Sequence, residues 1–165
     1  MTQTKEPRTK TTGRTFGFWA GMLACFVLPA FALPIIFLNP SGPLWFHLAF
    51  HLIGIALCLL GIWLASRAAK AAPTRTLTVM SWTIAAALVV WMFGHTGELV
   101  TVLTHGGAHA SPELFDDPTH SFFASFAVPG WMLSVLSIVV LLVSSGIRVA
   151  YRSLTGRSAR RSTAV

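Results

Sequence analysis

The chain has 165 residues, 54% of them apolar and 10% charged, with a formal net charge of +7. A soluble domain carries about 25% charged residues and a disordered chain far fewer apolar ones, so both classes are excluded. A disulfide scaffold is excluded too, because the only cysteines, Cys25 and Cys58, both lie in apolar runs. What remains is an all-α integral membrane protein.

Residues 1–15 form a basic tail with Lys5, Arg8, Lys10 and Arg14. The first apolar run, 16–38, is long enough to cross a bilayer, which takes about 20 residues. Pro29 and Pro34 should kink it. Its Ala30-Phe31-Ala32 resembles the small-residue cleavage site of a signal peptide, and cleavage there would leave three spans. Apolar sequence continues through Leu38, which favours a retained helix. After a short connection, 39–43, the second span covers 44–66 and carries His47 and His51 on one face, four residues apart. A basic connection, 67–76, holds Arg67, Lys70 and Arg75.

The third span, 77–103, carries His95 and Glu98 three residues apart, again on one face. A longer loop follows, 104–121, with His105, His109 and His120 in it or at its edges. Gly106-Gly107 should end the helix. Ser111-Pro112-Glu113 reads as a helix start, predicting a short interfacial helix over 112–115, and Asp117-Pro118 repeats the signal before the fourth span, 122–147. Pro129-Gly130 should kink that span, and a basic tail, 153–165, ends the chain. Several of the tryptophans fit an interfacial belt.

None of the four runs carries Lys, Arg or Asp in its interior. Each can close its own backbone hydrogen bonds as a helix, as lipid requires. Short connections make sequential helices antiparallel neighbours, so the expected architecture is an up-and-down four-transmembrane-helix bundle. All twelve Lys and Arg lie in the two tails, in the 67–76 connection or just after the fourth span. By the positive-inside rule both termini are cytoplasmic, in a bacterial-type plasma membrane. The positive charge is then explained by topology and anionic lipid and calls for no nucleic-acid partner. Other membrane subunits, or further copies of the chain, are the expected protein partners.

His51 lies eight residues into the second span and His95 eight residues before the end of the third. At the rise of a helix both are about 12 Å deep. On antiparallel neighbours they should face each other, with His47 and Glu98 one layer above, turned into the bundle because ionisable groups are costly against lipid. Gly54, Gly94 and Gly97 either leave room for a cofactor or let the helices pack closely. His47, His51, His95 and Glu98 offer three nitrogens and one oxygen to a transition metal such as Cu, Zn or Fe, with His105 or His109 as lid ligands. Alternatively His51 and His95 are the axial ligands of a haem b, with Glu98 fixing a tautomer. A metal-free proton or substrate relay, or histidines that only satisfy a core, are the remaining readings.

Paired intramembrane histidines in four spans are similar in outline to four-helix membrane b-type cytochromes and small respiratory accessory subunits. That likeness implies electron transfer, or a non-catalytic accessory or assembly role in a larger complex. A small transporter or channel subunit is a further reading. With no nucleophile–base pair and no nucleotide loop, the sequence does not point to a self-contained enzyme.

Overall fold

A computed structural model describes residues 8–37, 42–106 and 112–162. Among these the chain is helical, with no strand. Helix α1 spans Arg8–Val27 and passes through a 3-10 turn, Leu28–Phe31, into the short α2, Ala32–Phe37. Then come α3, Leu44–Ala71; α4, Arg75–His105; the one-turn α5, Pro112–Phe115; and α6, Pro118–Ser162.

Among the described residues three helices are long and apolar enough to cross a membrane: α3, α4 and α6 as far as Tyr151. The expected first span, 16–38, is not one continuous helix: where its prolines were expected to kink it, a 3-10 turn separates two helices. Pro29, inside the 3-10 turn, and Pro34, inside α2, lack the N–H that an α-helical ladder needs. The helical segment is thus divided at Val27.

The connection between α3 and α4 is tighter than expected. Arg67, Lys70 and Arg75 lie within helices, because basic residues sustain a helix well. Pro73 is the actual break. Thr74 then caps α4, its hydroxyl accepting from the Leu77 N–H at 3.5 Å. Similarly α6 runs on to Ser162, through residues whose polarity had suggested a tail.

The long helices pack in chain order, α1 on α3, α3 on α4 and α4 on α6, while α1 meets α6 only slightly. Phe16, Ala20, Leu23 and Val27 of α1 are buried in the core. At the basic end the Arg67 guanidinium lies over two rings, Trp19 at 5.0 Å and Trp63 at 5.7 Å, which ties α1 to α3. Trp45, Trp63 and Trp82 are exposed, as an interfacial belt requires. Trp91 is buried and belongs to the interior instead.

Small residues set how closely α4 approaches its neighbours. A Cβ on Gly94 would collide with the Ala127 backbone, one on Gly97 with the Phe123 ring, and one on Gly130 would stand 2.5 Å from the Trp91 nitrogen. The space at Gly54 is taken by the His95 ring. Close packing, rather than room left for a cofactor, accounts for all four glycines.

Candidate metal centre

The two histidine-bearing faces meet as their depths predict. His47 and His51 come from α3, and His95 and Glu98 from α4, all four buried. His51 Nδ1 lies 3.0 Å from His95 Nδ1 and 3.4 Å from Glu98 Oε2. The carboxylate and one of the two imidazoles must accept, so a proton on His51 Nδ1 serves both contacts.

A fifth member comes from α6. His120 is 6% exposed, and its Nε2 stands 3.9 Å from Glu98 Oε2. Its ring meets His47 edge-on at 5.4 Å between centroids. The sequence places His120 in the outer loop or at its edge, and the Asp117-Pro118 start signal accounts for its place in α6. A helix starting there puts His120 in its first turn, on one face with Ala124 and Ala127. The cap forms as that signal predicts: Asp117 Oδ1 accepts from the Thr119 N–H at 2.7 Å and the His120 N–H at 3.1 Å.

The short helix over 112–115 is present as α5. Its Phe115 stacks on His47, with centroids 5.1 Å apart and planes 10° apart, and so covers the cluster from that end. His105 does not join. It is exposed, and its Nδ1 pairs with Asp117 Oδ2 at 2.8 Å. Asp117 is held below the usual carboxylate range, chiefly by accepting from the His120 backbone N–H and then by the His105 contact. His109 lies outside the described residues.

Two overlapping groups bring ligand atoms within 4.8 Å of one another: His47, His51 and His120, and His51, His95 and Glu98. A tetrahedral ion with bonds of about 2.0–2.2 Å holds adjacent ligand atoms roughly 3.3 Å apart. The 3.0 and 3.4 Å contacts of His51 match that edge. Five ring nitrogens are buried without a hydrogen-bond partner: both of His47, and Nε2 of His51, His95 and His120. Buried polar atoms are rarely left so. The cluster opens on one side into a cavity of about 250 Å³, walled by Phe50, Trp91, Phe115 and Trp131.

Compared with known protein families, curated proteins and solved structures, the chain finds no match. The buried His/Glu group, in a helical and apolar chain, could hold a metal ion, and this conclusion rests on its own geometry.

Proposed function

We propose that this chain is a small integral membrane protein that binds a transition metal ion, Cu, Zn or Fe, through His51, His95 and Glu98, and that it serves electron transfer or metal handling. His47 and His120 stand beside that triad. The observation that carries the reading is the convergence of His51 Nδ1, His95 Nδ1 and Glu98 Oε2, with His51 standing 3.0 and 3.4 Å from the other two. In the same cluster both nitrogens of His47 and Nε2 of His51, His95 and His120 are buried without a hydrogen-bond partner, which is rare for histidines that merely pack.

The broken α1–α2 segment completes a four-span bundle in this reading, and the basic end faces the cytoplasm in a bacterial-type plasma membrane. Haem b is the less favoured cofactor. The His51 and His95 rings touch, with centroids 5.3 Å apart, and a macrocycle between them would have to part α3 from α4. His95 already fills the notch at Gly54 in that interface. A bare ion fits with no such movement.

The test is metal analysis of detergent-purified protein, with a visible spectrum. The expected result is one equivalent or more of a transition metal, no Soret band, and loss of the metal in both His51→Ala and His95→Ala. A Soret band would replace the ion by haem. Metal-free protein that takes up neither added Cu, Zn nor Fe, and that copurifies with large membrane partners, would favour the accessory-subunit reading.

A further inference from the structure

The cavity beside the cluster has two unlike halves. Its walls include Phe50, Trp91, Phe115 and Trp131, and Ala124 and Ala127 keep its α6 side low. His47 and His120 stand at its polar side, each buried and each with ring nitrogen lacking a hydrogen-bond partner. An ion on His51, His95 and Glu98 would leave these two rings unused. We propose that the cavity binds a neutral, lipid-soluble ring compound carrying a carbonyl or phenolic oxygen, of the quinone class, whose oxygen accepts from His47 and His120.

The chemistry narrows the occupant from both ends. Flat aromatic walls favour a ring, through stacked or edge-on contacts. Donors at one end require an acceptor oxygen there. A lipid acyl chain would fill the apolar half and leave the nitrogens of His47 and His120 unpaired. The cavity of about 250 Å³ is just below the usual range of small-molecule pockets, about 300 Å³ upward, so it takes a single substituted ring and leaves any long tail outside.

The lining places the entrance of this proposed site beside the Leu28–Phe31 turn and α6, where α1 and α6 meet only slightly. At this level α1 gives way to the Leu28–Phe31 turn that contains Pro29, while α6 continues as a helix with Pro129 inside it. Ala30 from that turn and Val128 and Trp131 from either side of Pro129 line the cavity, and Val128 is exposed on the outside of the bundle. A compound dissolved in the bilayer would enter sideways, with no aqueous route needed.

The inference rests on the reading of the His/Glu cluster as a ligand site, but its test is separate from that of the metal. Duroquinone is titrated into the detergent-purified full chain, metal-loaded and chelator-treated, and tryptophan emission is followed, since Trp91 and Trp131 line the cavity. Saturable quenching at one site is expected. Ala124→Leu should weaken it by roughly tenfold or more with metal content unchanged, and His120→Phe should weaken it through the lost donor. Decanol, which has a chain and no ring, should not compete. Linear, unsaturable quenching, or equal competition by decanol, would overturn the proposal even if Ala124→Leu failed to fold. Saturable duroquinone binding to a protein that takes up no metal would leave this inference standing and remove the metal centre; the converse result would do the opposite.

Discussion

Asp117 holds the start of α6 with one carboxylate oxygen and His105 with the other. The first of these matters for the cluster, because the N–H that it caps belongs to His120. With the Asp117 carboxyl held below its usual range in the folded chain, the cap contributes fully above the unfolded carboxylate value, about 4, and is lost as pH falls below that through the lowered folded value. The protection of the Thr119 and His120 amides, measured against their intrinsic exchange rates, should therefore hold from neutral pH down to about 4 and fall only below it. Protection lost already near neutrality would show that some other group holds this turn. Asp117→Ala should remove the protection at every pH. Among the candidate ligands, Glu98 is the only anion. Glu98→Gln should cut metal affinity by more than the roughly 10–100-fold typical of residues that merely support a ligand. His105→Ala should leave affinity unchanged, since His105 is spent on Asp117 at the surface. Isothermal titration of both variants with Zn checks the pair, and an equal loss in the two would contradict the placement of His105.

At the scale of helices, the glycines divide into two kinds. Gly94 and Gly130 bring α4 and α6 together backbone to backbone, whereas Gly54 makes room for the His95 ring. Gly94→Ala forces a methyl against the Ala127 backbone and should destabilise the fold by about 1–3 kcal/mol, the usual cost of overpacking. Thermal unfolding in detergent measures this. Gly54→Ala instead pushes on His95, a candidate ligand, so metal affinity should fall more than the unfolding temperature does; the reverse order would mean that His95 is only a packing residue. The facing of His51 and His95 was legible in the sequence because depth follows from counting residues at a fixed rise, and no packing detail enters that count. The break in the first span was signalled by Pro29 and Pro34, but the length of a division between helix segments depends on backbone hydrogen bonds that composition does not display. His120 was missed as a site residue for a different reason. The Asp117-Pro118 signal marked the helix start, but a position ahead of the apolar run gave no sign that this first turn packs against His47 and Glu98. The identity of what closes the cluster, Phe115 stacked on His47, depends on how a four-residue helix docks, which no local pattern encodes.

Across the whole molecule, charge and chemistry lie at opposite ends. Arg67, Lys70 and Arg75 gather at the turn between α3 and α4, where Arg67 also packs on Trp19 of α1. Glu113, Asp117 and the His/Glu cluster lie toward the α5 end, about a membrane's thickness away along α4, whose 31 residues measure roughly 46 Å at the helical rise. Antiparallel packing turns this linear pattern into a polarised bundle, because each connection returns the chain to the end where its own charges belong. The positive-inside rule then predicts that the basic end is cytoplasmic and the cluster opens toward the opposite side. Cysteine labelling decides it in intact cells. In a background with Cys25→Ser and Cys58→Ala, Glu113→Cys should react with a membrane-impermeant maleimide, and Ala71→Cys should react only after permeabilisation. The inverse pattern would reverse the bundle and turn the candidate metal centre toward the cytoplasm, where metal delivery rather than exchange with an outer compartment would be the chemistry to test. Labelling of both positions from outside would break the antiparallel pairing of α3 and α4 itself, and with it the depth matching that brings His51 to His95.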